Sequence, residues 1–195
     1  MHDRDEQNRF PVHPANESLS VPERPATFKD LIDQFSIHTP SGRSVSMVIP
    51  AGFSGFDFLV TAQGAVSDLC GAHLIDPDLL QEWRMWNGFA ESSALPRTIA
   101  VQIEIDPLHA RRRNEHALLL CARGCALASY EDTALAFAAF WIAKGSDLFA
   151  NTAVQTTYKG LQLNDEGLVD IDLYRARSVA VVRRSQRIEP FFGPN

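Results

Sequence analysis

The chain predicts an α+β domain: a mainly antiparallel sheet of about six or seven strands, with a long apolar helix over about 130–144 packed across it and two shorter helices. Three observations carry this. Strand-like segments come in consecutive pairs instead of alternating with helices, which disfavours a doubly wound sheet. The stretch "SYEDTALAFAAFWIAKG" has a cap at Ser129, acids in its first turn, Lys144 in its last and a stop at Gly145, and is apolar all round between them. In "DPDLLQEWRMWNG", Asp76 caps, Pro77 takes the first helical position, and Leu79, Leu80, Trp83 and Trp86 form one stripe up to Gly88.

With 195 residues, 45% hydrophobic and 22% charged, the composition suits a single folded domain with a sizeable core. Residues 1–25 are polar and proline-rich without an apolar period, so an unstructured or surface-draped arm is expected, followed by a domain over 26–190 and a tail over 191–195. Thr27 with Asp30 has the spacing of a capping box for a helix ending near Ser36, and "TPSG" at 39–42 reads as a turn. "SVSMVIP" alternates with period two and ends at Pro50. "FDFLVTA" at 56–62 then reads as its hairpin partner across Gly52 and Gly55. "RTIAVQIEID" puts Ile99, Val101, Ile103 and Ile105 on one face, and "HALLLCA" at 116–122 reads as a central strand joined to it by a long loop. Three more strands are expected at 153–163, bent at Gly160, at 168–174 and at 178–184, the first two joined by a turn at "NDEG".

No apolar run is long enough to span a bilayer, and the first residues have no apolar core of a secretory signal. Three cysteines, an odd number, suit a reducing cytoplasm. The net charge is −6, yet segment 107–125 sums to +3 and segment 175–195 to +4, leaving −13 for the remainder (−6 − 3 − 4). If the two segments meet in space they form a positive patch on an acidic body.

Chemical motifs are sparse. Cys70, His73, Cys121 and Cys125 have residue types and spacings that zinc accepts. A continuous strand through Cys121 would separate the last pair, so cysteines packed as core residues are the simpler expectation. "GFSGF" at 52–56 has a serine between glycine-rich flanks, but Phe56 stands where a nucleophile elbow needs glycine. It leaves only a weaker alternative, a small hydrolase or transferase with a site near 52–56. Gln102 and Glu104 share the polar face of their strand, as any amphipathic strand would arrange them. No phosphate-cradling glycine motif occurs, so no cofactor is expected.

The arginines remain. Arg111, Arg112, Arg113, Arg175 and Arg177 are the expected contacts for an anionic partner, because a guanidinium fork pairs bidentately with carboxylate or phosphate. Phe191 and Phe192 near the end of the chain are expected as anchors for a partner chain. A binding or assembly module with an acidic protein partner or a second copy of itself follows, with nucleic acid as the alternative and no membrane role.

Overall fold

The chain folds as α+β. The computed structural model describes residues 27–106, 108–145, 152–164 and 167–183. The expected arm over 1–25, the 191–195 tail with Phe191 and Phe192, and Arg184 and Arg187 lie outside the described residues.

Helix α1 (Phe28–Gln34) starts at the expected box: Asp30 N–H donates to Thr27 Oγ1 at 3.2 Å, and Thr27 N–H donates to Asp30 Oδ2 at 3.0 Å. The predicted 39–42 turn is instead mostly strand. β1 (His38–Ser41) pairs antiparallel with β2 (Ser44–Ile49), the chain turning at residues 42–43. Along β2, Val45, Met47 and Ile49 are buried in alternation, as period two requires.

The strand expected at 56–62 is a helix, α2 (Gly55–Cys70). Ser54 caps it and Asp57 completes a box: Asp57 N–H donates to Ser54 Oγ at 3.1 Å and Ser54 N–H to Asp57 Oδ2 at 2.7 Å. Phe58, Leu59, Ala62, Ala65 and Val66 are its buried face, at the i, i+1, i+4, i+7, i+8 spacing of one side of a helix. The helix predicted through Gly88 stops earlier. α3 (Pro77–Arg84) ends at Met85, Trp86 is extended, and a short α4 (Asn87–Ala90) follows. The break lets Trp83 stack on Phe89 at 4.6 Å while Trp86 stacks on Tyr130 at 5.3 Å. Gly88 is not the stop but a close-approach point, since a Cβ there would lie 2.6 Å from Glu131 Oε1.

β3 (Arg97–Ile105) is the expected strand, with Ile99, Val101 and Ile103 buried and Ile105 exposed at its end. The predicted strand at 116–122 is helix α5 (Arg113–Ala122), which buries only His116 and Leu120. A short strand, β4 (Cys125–Leu127), follows, and then α6 (Tyr130–Lys144) where it was expected, with Ser129 as cap and Gly145 in the left-handed conformation. Every residue from Thr133 to Phe140 is buried. The single strand expected over 153–163 is divided by a turn, in which Thr156 Oγ1 donates to Lys159 O at 2.6 Å. Its parts are β5 (Val154–Gln155) and β6 (Gly160–Asn164), followed by β7 (Gly167–Ile171) and β8 (Ser178–Arg183).

The sheet runs β1-β2-β3-β8-β5-β6-β7, with β4 also paired to β8, and its pairings are antiparallel except β5 with β8. On one face α6 crosses the strands with α1 and α2 packed against it, and it gives the core more residues than any other element. On the other face α5 lies over β8, closing a second cluster of Leu120, Leu127, Val179 and Val181. No described helix is long and apolar enough to cross a membrane.

The outer edge of β7 is sealed by residues 74–76: Leu168 N–H donates to Leu74 O at 2.9 Å and Asp76 N–H to Leu168 O at 3.1 Å. Gly167 makes this possible. Its φ is +108°, and a Cβ would sit 3.1 Å from backbone atoms of His73 and Ile75. Gly167→Ala is expected to cost about 1–3 kcal/mol in urea unfolding, against less than about 0.5 kcal/mol for Gly42→Ala, where nothing lies within 4 Å of the added carbon. Equal costs would contradict this account of the edge.

Candidate functional site

The two basic segments meet. Asp106 N–H donates to Arg177 O at 2.8 Å, and Arg111 and Ala176 exchange two backbone hydrogen bonds at 2.9 and 3.0 Å. The loop between β3 and α5 is therefore stitched to the segment that leads into β8. Its own shape comes from Asp106, whose Oδ1 accepts from the backbone N–H groups of Leu108 and His109 and whose Oδ2 accepts from Arg111 Nε at 2.8 Å. The Arg111 guanidinium, then those two backbone donors, hold the Asp106 carboxyl down at about 2. Arg111 is thus engaged within the loop, and Arg177 contributes its carbonyl.

Arg112 precedes α5 in extended conformation, and its guanidinium carbon lies 4.7 Å from the centroid of the Tyr174 ring. Its N–H donates to Glu115 Oε2 at 2.6 Å. That bond, helped by the charges of Arg175, Arg112 and Arg111, keeps Glu115 below the usual carboxylate range. The same charges define a positive field at the start of α5, where the helix dipole already favours an anion.

An open cleft of about 620 Å³ lies at this point. Its walls include Arg112 before α5, Arg113 and Ala117 of α5, Leu127 of β4, Thr157 after β5, and Tyr174. Sequence reasoning missed what stands behind the wall. His116 and Gln155 are both buried, 4% and 0% exposed, and His116 Nδ1 lies 2.7 Å from Gln155 Oε1. His116 Nε2, Gln155 Nε2 and the Nε of half-buried Arg113 are shielded and have no hydrogen-bond partner. An unpaired buried polar group costs about 1–3 kcal/mol, so each of the three is an expensive feature to keep. The pair is 39 positions apart in the chain and has no sequence signal until residues 113–122 are recognised as a helix.

A second groove, about 760 Å³, runs over the outer face of β2, β3 and β8. Gln102 and Glu104 line it as period two predicts, and Glu104 is held by Arg123 in a two-pronged pair at 2.7 and 3.0 Å.

The remaining sequence-derived sites do not assemble. Cys70 is exposed at the end of α2, His73 Nδ1 lies 3.3 Å from Gln63 Nε2, and Cys121 is exposed on α5. Cys125 is half-buried at the start of β4. Among the described residues no three His, Cys, Asp or Glu side chains are grouped to hold a metal ion. The expectation of core cysteines also fails for Cys70 and Cys121, because the strand inferred through Cys121 is a helix with an outward face. Ser54 is buried, and its hydroxyl donates to Asp57 Oδ2 at 2.8 Å as a helix cap. Compared with protein-family models, with curated proteins and with solved structures, the chain matches none of them.

A carboxyl depressed in the folded chain contributes stability that is complete above its unfolded value and lost as pH falls through the folded one. For Asp106 that window runs from its ordinary 3.8 down to about 2. Asp106→Asn is expected to remove this component, so its stability falls less steeply than the wild type's across the window in urea unfolding at a series of pH values. Parallel curves would contradict it.

Proposed function

We propose that the protein is a non-enzymatic binding module that self-associates, offering the α5 cleft and the exposed side of α5 to an acidic surface of a second copy. One observation carries this reading: cationic and apolar groups are exposed together at the start and along the outside of α5. Arg112 lies over Tyr174, itself 68% exposed, and Leu118 and Leu119 project from α5 at 73% and 47% exposure. Arginine and tyrosine are enriched in protein contacts and the exposed leucines add apolar area, whereas a nucleic-acid track calls for a basic stripe following a phosphate backbone. Charge supports a second copy as the partner, since the chain carries −6 overall and its acidic surplus lies outside the two basic segments. A cytoplasmic location belongs to the same proposal, on the ground that an odd number of cysteines suits a reducing compartment.

Sedimentation equilibrium tests it. The wild type is expected to dimerise, and Arg112→Glu or Leu118→Asp to weaken the dimer by more than about tenfold, as loss of a buried charge contact or hot-spot side chain does. A wild type that stays monomeric at high concentration sinks the proposal. If the monomer instead binds RNA or DNA with steep salt dependence that Arg112→Ala, Arg113→Ala and Arg175→Ala remove, the nucleic-acid reading takes its place.

A further inference from the structure

We infer that Arg113, His116 and Gln155 form a seat for a phosphate group, free or as a monoester, at the inner wall of the α5 cleft. Position supports this first. Arg113, His116 and Ala117 stand at i, i+3 and i+4 of one helix and therefore share a face, and Arg113 and Ala117 both line the cleft. Gln155 is tied to His116 by their hydrogen bond, and Thr157, two residues beyond it, lines the same cleft. His116 and Gln155 do not line the cleft themselves but lie buried beside residues that do.

Hydrogen-bonding capacity then selects the ligand. Gln155 Oε1 can only accept, so His116 Nδ1 carries the proton in their bond and Nε2 presents a lone pair. The unpaired set is therefore two donors, Arg113 Nε–H and Gln155 Nε2–H, and one acceptor, His116 Nε2. Turning the Gln155 amide over exchanges roles between His116 and Gln155 but leaves the same count. A matching group must accept two hydrogen bonds and donate one. An ionised carboxylate only accepts. A phosphate monoester, with a second pKa of about 6, retains a P–OH in part of its population near neutrality. Water and alcohols also match the count, but the field that Arg111, Arg112 and Arg175 impose on Glu115 favours an anion, and the start of a ten-residue helix adds to it. The three nitrogens are shielded from solvent, so binding requires the half-buried Arg113 side chain to move aside. His116 and Gln155 stay fixed by their mutual bond. Beyond the seat, the cleft is walled mainly by apolar atoms of Ala117, Leu127 and Leu173, which suits the organic part of a monoester.

The assignment does not depend on self-association: a monomer that binds phosphate leaves it standing, and a dimer that does not bind phosphate refutes it. The test is titration of the full chain with inorganic phosphate, phenyl phosphate and acetate, following the His116 imidazole nitrogens by NMR and the thermal midpoint of the wild type. Saturable shifts with both phosphates, a rise in midpoint, and little response to acetate are expected. Tighter binding of phenyl phosphate than of inorganic phosphate would identify a monoester as the ligand, and equal binding would identify the free ion. Arg113→Ala, a change at a half-buried position, should keep the wild-type fold while weakening phosphate binding by more than about tenfold, as loss of a charge-assisted hydrogen bond does. No saturation, an equal response to acetate, unchanged affinity in Arg113→Ala, or a crystal structure grown in phosphate with an internal water bridging the three nitrogens would each overturn the inference.

Discussion

Strand β8 must be covered on both faces, and most of the architecture follows from that requirement. Ser178, Val179, Ala180 and Val181 are all buried, so no side of the strand can be left to water. Ala180 belongs to the large core beneath α6, while Val179 and Val181 pack with Leu120 and Leu127 on the opposite side. The strand is also enclosed in the plane of the sheet, by β3 along one edge and by β4 and β5 in succession along the other. An element this enclosed needs a helix on the far face, and α5 is that helix. Its two buried residues divide the work: Leu120 closes the cluster over β8, and His116 reaches the end of β5.

Placing α5 there has consequences for chemistry. A helix that fills one side of a sheet brings its N-terminus to the place where the neighbouring loops gather. Here the β3–α5 loop is bound to the chain entering β8 through the Arg111–Ala176 bridge. Segments 64 positions apart in sequence number, at 111 and 175, are thereby made neighbours around Glu115. The same packing leaves most of α5 facing solvent, which explains how a helix of apolar composition comes to display Leu118 and Leu119. Site and exposed face are two results of one docking event.

The parts legible in the sequence were those whose signals are local. Thr27 with Asp30, Asp76 with Pro77, and Ser129 with Gly145 are caps that act within a turn of the helix they bound, and each marks a helix end in the fold. β2 and β3 were legible because one face is buried and the other is not, which imposes alternation. The two helices taken for strands, α2 and α5, share a cause. "FDFLVTA" and "HALLLCA" are short apolar runs, and within seven residues a helix and a buried strand look alike. In α2 the box formed by Ser54 and Asp57 was the available signal against a strand. In α5 Glu115 offered a weaker one, since its partner is a backbone N–H and Arg112 is not a usual cap residue. The arginine cluster was visible in composition, but which guanidinium is engaged was not, because Arg111 depends on an aspartate five residues away whose geometry the loop must first create. The His116–Gln155 contact was beyond reach, being a product of topology.

Native-state hydrogen exchange resolved by residue is the most direct measure of whether β8 and α5 are one packing unit. Two-sided burial predicts that the amides of residues 117–122, bonded within α5, are protected to nearly the same opening free energy as those of β8, and that Leu120→Ala lowers both together. Exchange of the α5 amides at unprotected rates beside a fully protected β8 would contradict it, since the helix would then be an appendage and the cleft at its start would have no fixed wall.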